Sequence, residues 1–322
     1  MKSVDELCNV QSSLGSESNT GDGIPNSGTL FPSMLKPQWN ASVKPMPKPN
    51  IDELNLNIDK SLLFSQPKSN DDCDICCVKL PEFNKCQYQS CCGKVLCLGC
   101  IVTVAEQQMK KNIIKGTHKP PACPFCRMGA VKSIREAFDR LEARIEAYPD
   151  DSRALFVLGC LCCEGEYSTI TQDIDRGIRL LRKASELGSI DACASLGNAF
   201  NPLERTMYIG VERNLLTSVQ YYEKAAIGGH VWSRFNLGVL NNTFYFDGSV
   251  TMNHFIIAAK QGHDHALKAV KIGYIAGVVE KEQYALTLRA HFKSKTDIES
   301  DRRKDAEQRI RINELGEHWV IF

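Results

Sequence analysis

The sequence predicts a mainly α-helical chain in two folded parts, a small cysteine-built module followed by a solenoid of helix pairs. Two observations carry this. Ten of the fifteen cysteines fall between Cys73 and Cys126, and within that stretch Cys-x2-Cys spacing occurs three times, at Cys73/Cys76, Cys97/Cys100 and Cys123/Cys126. Further on, an element that opens on a small residue and closes on Leu-Gly recurs as RALFVLG (153–159), ACASLG (192–197) and SRFNLG (233–238), and in degraded form as ALKAVKIG (266–273). Its glycines stand 38, 41 and 35 residues apart. A period of about 40 residues with two helices per unit is the signature of a solenoid, whose units bury their apolar faces only against one another.

At 322 residues the chain has room for two or three domains, and its formal charge of +1 gives no reason to expect nucleic acid or an anionic membrane as a partner. The start, MKSVDELCNVQSSLGS, lacks the apolar run of a secretory signal. The most apolar run, LFVLGCLCC at 155–163, is half of the roughly 18 residues that a membrane span needs. An intracellular chain, cytoplasmic or nuclear, is therefore expected, with reduced thiols that hold metal rather than disulfides.

Residues 1–68 are rich in Ser, Asn, Pro and Gly, with prolines at 45, 47 and 49, and read as a disordered arm. Within it, IDELNLNIDKSLLF (51–64) has the character of a short linear motif or a transient helix.

Residues 69–130 form the cysteine module. Two residues between thiolates let one tight turn aim both sulfurs at a single ion. With Cys91 and Cys92 the three pairs supply eight thiolates, enough for two tetrahedral zinc sites. In a cross-braced arrangement Cys73, Cys76, Cys97 and Cys100 would share one ion, and Cys91, Cys92, Cys123 and Cys126 the other. Adjacent ligands are awkward in an extended chain, whose successive side chains point to opposite sides. Cys86 therefore competes for the place of Cys91, with His118 behind it, and Cys77 is surplus. Ile101, Val104, Ala105, Met109 and Ile113 fall at helical spacing, and Gly116 with two prolines ends that run. Lys110 and Lys111 read as a solvated face.

CDIC (73–76), CCGKVLC (91–97), LGC and CPFCR (123–127) together resemble a RING-type zinc finger, over residues 73–127. Lys94 stands where most such fingers carry a ligand histidine, and a protonated lysine cannot ligate zinc, so the all-cysteine variant is the better match. The resemblance implies two zinc ions, no catalytic residue in the finger itself, and a shallow groove that recruits a ubiquitin-conjugating enzyme. Ile75 and Pro124 would line the groove. Val104 takes the place of a tryptophan common in active ligases, and Arg127 matches the arginine that bridges ubiquitin and the conjugating enzyme. The chain is accordingly expected to be a RING-type ubiquitin ligase, or else a zinc-stabilised protein-binding scaffold without that activity.

Residues 131–150 predict a connecting helix with Ile134, Phe138, Leu141 and Ile145 on one stripe and Pro149 at its end, suited to dock the module onto the C-terminal half of the chain. In the repeats, 151–293, a second pattern places Lys and Ala ahead of glycine in GIRLLRKASELG (177–188), LLTSVQYYEKAAIGG (215–229) and MNHFIIAAKQG (252–262). Small residues would let paired helices approach, and the final glycines would close each second helix as left-handed caps. These motifs resemble Sel-one-like (Sel1-like) repeats, a tetratricopeptide-like family, with three recognisable units and a degenerate fourth, and the short GSVT loop at 248–251 implies a distorted third unit. The tandem of finger and repeats resembles a known two-domain family. It implies that the repeats bind a substrate or adaptor protein. Cys160, Cys162, Cys163 and Cys193 read as packing residues, and His263, Asp264 and His265 as a solvated turn capped by Asp264. Residues 294–322 read as a charged helix and tail that cap the solenoid, with Trp319 tucking back. No nucleophile triad, phosphate loop or carboxylate pair stands out, and the module lacks the interleaved aromatics and arginines of a nucleic-acid binder.

Overall fold

The computed structural model describes residues 72–80, 85–117, 119–165, 170–203, 208, 210–245 and 247–311. The N-terminal arm with its 51–64 segment, His118, and the tail from 312 with Leu315 and Trp319 lie outside the described residues.

The module is built on a two-stranded antiparallel ribbon, β1 (Cys86–Tyr88) and β2 (Val95–Cys97), with Cys86 opposite Cys97 and Tyr88 opposite Val95. β2 runs directly into helix α1 (Leu98–Ile114), which Gly116 closes at φ +66°. Val102 and Ala105 are the buried hydrophobes past the first turn of α1, whereas Ile113, expected on the same stripe, is 66% exposed. Lys110 and Lys111 face solvent.

The connecting helix α2 (Ile134–Ala147) begins at Ser133, whose hydroxyl accepts from the Glu136 N–H, while the Glu136 carboxylate accepts from the Lys132 N–H. This reciprocal cap fixes its start. Ile134, Phe138 and Leu141 are buried, and Ile145 packs alongside. Helices then alternate: α3 (Ser152–Glu164), α4 (Ile174–Glu186), α5 (Ile190–Phe200), α6 (Leu215–Ile227), α7 (Val231–Leu240), α8 (Gly248–Lys260), α9 (Asp264–Ile275) and α10 (Lys281–Ile298). α3 packs mainly on α4, α5 on α6, α7 on α8 and α9 on α8, while α10 lies across both α8 and α9. That is the solenoid expected from the repeat.

The two glycine classes do different work. A Cβ on Gly238 would stand 2.6 Å from Phe255, and one on Gly273 would stand 2.5 Å from Met252, so the Leu-Gly glycines are where paired helices meet. Gly188, Gly229 and Gly262 take φ of +87°, +99° and +99° after the second helices, conformations that an L side chain resists. Each is followed by the cap of the next helix: Ser189, His230 and His263 accept from the backbone N–H three residues on. His263 thus caps α9 in place of the expected Asp264, and it is buried against Trp232 and Phe235 rather than solvated. Burial also holds its imidazole neutral, with a pKa of about 3. Asp264 binds Lys295 at 2.6 Å and His291 at 3.2 Å. In the third unit α7 continues into a π-helical turn, Asn241–Tyr245, and GSVT forms the first turn of α8.

Two expectations about the end of the chain are corrected. The boundary at 293/294 falls inside α10, which lies against α8 and α9 and closes the solenoid. The charged segment beyond it forms a separate helix, α11 (Asp301–Arg311), which packs on α1 of the cysteine module instead of on the repeats.

Candidate metal centre

The module contains the same turn twice. In the first, the Cys77 N–H donates to Cys73 O and the Cys73 N–H to Val78 O, with Asp72 and Lys79 bridged across the loop. In the second, the Arg127 N–H donates to Cys123 O and the Cys123 N–H to Met128 O, with Ala122 bridged to Gly129. Cys77 (φ +52°) and Arg127 (φ +62°) are the two described residues other than glycine in the left-handed region, and each directly follows a Cys-x2-Cys pair. The left-handed step folds the chain back and leaves both sulfurs of each pair on one side.

Each turn meets a second pair of cysteines. The Sγ atoms of Cys73, Cys76, Cys97 and Cys100 lie within 4.8 Å of one another, and so do those of Cys91, Cys92, Cys123 and Cys126. Cys97 and Cys100 come from the end of β2 and the first turn of α1. Cys91 and Cys92 come from the tight turn between the strands, where the N–H groups of Cys92 and Gly93 both donate to Gln89 O, and Gly93 is at φ +76°. That turn removes the objection to adjacent ligands, since the backbone there curls instead of alternating. Cys86 is buried in the ribbon, outside both clusters, and Cys77 is exposed.

The sulfur geometry fits a tetrahedral thiolate site. Four sulfurs at about 2.3 Å from a central ion stand about 3.8 Å apart along each edge. Cys76 Sγ and Cys97 Sγ are 3.8 Å apart, and Cys92 Sγ and Cys123 Sγ are 3.7 Å apart. Backbone donors favour the thiolate of one cysteine in each cluster. Burial opposes ionisation of Cys73, but backbone N–H groups at Cys97, Cys76 and Ile75 outweigh it and bring the thiol down to about 7. Burial likewise opposes ionisation of Cys123, and the N–H groups of Cys126 and Phe125 bring it down. Burial and then neighbouring thiols push Cys91 and Cys100 upward, and burial also raises Cys92 and Cys97. A bound cation would favour the thiolate form of these raised thiols.

The module is fastened to the solenoid. Tyr88 Oη donates to Asp151 Oδ2 at 2.6 Å, Arg144 Nε reaches the same oxygen at 2.6 Å, and Asp151 Oδ1 caps α3 through the Ala154 N–H. Burial and the Asp151 hydrogen bond hold the phenol in its neutral form. Cys73, Tyr88 and Leu96 share one core with Phe138, Leu155 and Leu181.

Of the residues expected to meet a partner, Pro124 and Arg127 are exposed, with Phe125 and Met128 beside them. Val104 is half-buried, and so is Ile75, which packs against the core. Beside the first two repeats a groove of about 1290 Å³ runs past Phe138, Arg176, Arg179, Arg182 and Phe200. Arg176 lies over the ring of Phe138, and Arg182 over that of Phe200. Cys160, Cys162, Cys163 and Cys193 are buried in α3 and α5 and join neither cluster. No helix among the described residues is long and apolar enough to cross a membrane.

The geometry defines a helix-pair repeat protein that carries two four-cysteine clusters. Two of its units match the Sel1 repeat family model, over residues 152–189 and 190–230. The cysteine module lies outside the matched residues. No curated protein matches the chain. Among solved structures, a Sel1 repeat protein from Oxalobacter formigenes is similar at 18% identity and a TM-score of 0.42, over 67% of this chain and 88% of that one. A protective antigen of uropathogenic Escherichia coli strains displaying an SLR fold is similar at 20% identity and a TM-score of 0.38, over 56% of this chain. This chain spans 40% of the length of that antigen.

Proposed function

We propose that the module binds two zinc ions and works as a RING-type finger, which recruits a ubiquitin-conjugating enzyme while the repeats hold a substrate or adaptor protein. The observation that carries it is the interleaving of the clusters. The ligand pairs of one site alternate in sequence with those of the other, the sulfurs of each lie within 4.8 Å of one another, and one edge in each stands at the tetrahedral separation. Ligands of this kind must stay reduced, which suits a cytoplasmic or nuclear compartment. Repeats of the Sel1 kind generally bind partner proteins, and the arginine-lined groove beside the first two units is the natural seat for one.

In this reading no residue of the finger makes or breaks a bond. Arg127, exposed and held by the left-handed turn, offers a planar donor fork to carbonyls of two partners at once. Pro124, Phe125 and Met128 form the apolar edge next to it, and Ile75 with Val104 would complete the docking face. The alternative, a zinc-stabilised scaffold without ligase activity, draws on one observation: valine at 104 and a half-buried Ile75 leave few apolar anchors on that face. Self-ubiquitination of the purified chain with a panel of conjugating enzymes separates the two. Ligase function is expected to give activity that Arg127→Ala abolishes with both zinc ions retained. A fully zinc-loaded, folded chain that is inactive with every enzyme of the panel would leave the scaffold.

A further inference from the structure

The first cluster has a neighbour that comes from the far end of the chain. Arg303, in α11, is only 6% exposed, and its guanidinium is inserted into the first cysteine turn. Nη1 donates to Lys79 O at 2.8 Å, and Nη2 donates to Val78 O at 3.2 Å and lies 3.9 Å from Cys76 Sγ. Nη1 also reaches back to Ile298 O at the end of α10, and Nε has no partner. No carboxylate pairs with this buried cation among the described residues. Removing a guanidinium from water without a counter-charge is costly, and the anions available to it are the thiolates of the first cluster. Four thiolates around a divalent cation carry a net charge of −2, which a buried arginine offsets in part.

We infer that Arg303 is a positioning residue of the first metal site, and that α11 is a strap whose seating on the module depends on that site being filled. The inference rests on the zinc reading above. The carbonyls that Arg303 binds belong to the residues just past Cys76, so the guanidinium braces the turn that aims the sulfurs of Cys73 and Cys76. The helix that carries it lies against α1, which supplies Cys100, and Ala306 of α11 is buried. The second turn is braced differently: Arg140 Nη1 donates to Gly129 O at 2.8 Å, but Arg140 already pairs with the Glu136 carboxylate, and Cys126 and the loop beyond it face solvent. The strap therefore acts on one site of the two. It also ties the far end of the chain, more than 220 residues away, to the start of the module.

The test uses the full chain and three variants: Arg303→Met, Arg303→Lys, and Lys304→Met as a surface control. Zinc release to a chelator is followed with an indicator dye, and alkylation mapping reports which cysteines open first. Hydrogen exchange reads the 301–311 amides. In Arg303→Met, Cys73, Cys76, Cys97 and Cys100 are expected to give up their ion at about 10- to 100-fold lower affinity. The second cluster keeps its affinity, and 301–311 exchanges faster. Arg303→Lys, with the charge but not the fork, falls between, and Lys304→Met matches the wild type. Stripping zinc from the wild type is expected to speed exchange at 301–311 as well. Two zinc ions in the wild type with unchanged release and exchange in Arg303→Met would overturn the role of Arg303 and leave the zinc reading standing. A wild-type chain that takes up no zinc would overturn both.

Discussion

The two cysteine turns, 72–79 and 122–129, share a backbone and an arginine donor at the bridged carbonyl, Arg303 on Lys79 O and Arg140 on Gly129 O, and differ in how far each is enclosed. Both make the same pair of hydrogen bonds, the same bridge and the same left-handed step after the second cysteine. The first is packed into the core shared with the solenoid and closed by Arg303. The second ends in a run of exposed residues, Pro124 to Ala130. One motif thus serves two ends. Where it is enclosed it joins module, repeats and α11, and where it is open it leaves Pro124, Phe125, Arg127 and Met128 exposed to solvent.

The sharpest way to break that contrast is to delete one sulfur from each turn. Cys73→Ser is expected to unfold the module and weaken the solenoid with it, at a cost of several kcal/mol, because structural zinc contributes on the order of 10 kcal/mol to folding in small domains. Cys126→Ser is expected to lose the outer ion with a markedly smaller fall in the thermal midpoint. Equal losses in calorimetry would dissolve the distinction. Acid acts on both sites in the same direction. The ligands must be deprotonated, and Cys91, Cys92, Cys97 and Cys100 are held above their ordinary values, so metal binding releases protons. Apparent zinc affinity is therefore expected to rise more than about tenfold per pH unit between about pH 6.5 and 7.5, and competition titrations giving one affinity at both pH values would contradict this.

Smaller changes sharpen the comparison. Tyr88→Phe removes the hydroxyl that binds Asp151 and should cost about 1 kcal/mol in denaturant unfolding, with zinc content unchanged. A zinc loss in that variant would show that the anchor also shapes the second cluster. Lys94→Met removes the 3.0 Å ion pair with Asp74 at the rim of the first turn. Both partners are solvent-accessible, so less than about 0.5 kcal/mol is expected by the same measurement.

The helix pairs and the eight sulfurs are legible in the sequence because both are local signals. Two-residue cysteine spacing dictates a tight turn, and Leu-Gly recurrence dictates a close helix contact. Cys91 is ambiguous only while the backbone at 91–92 is taken as extended, and Gly93 in the left-handed region completes a turn there. Cys86 is equivalent to Cys91 by count, but strand pairing with Cys97 commits it to the ribbon. His263 capping a helix from a buried position needs Trp232 and Phe235, which come from α7. Least legible is the strap. Nothing in DRRKDAEQRIR marks one arginine for burial, and its partners stand more than 220 residues earlier.

Zinc counting by native mass spectrometry tests the two-cluster assignment most directly. The expected result is two ions per wild-type chain, one in Cys91→Ser and two in Cys86→Ser. Two ions retained in Cys91→Ser with one lost in Cys86→Ser, or no zinc in the wild type, would contradict it.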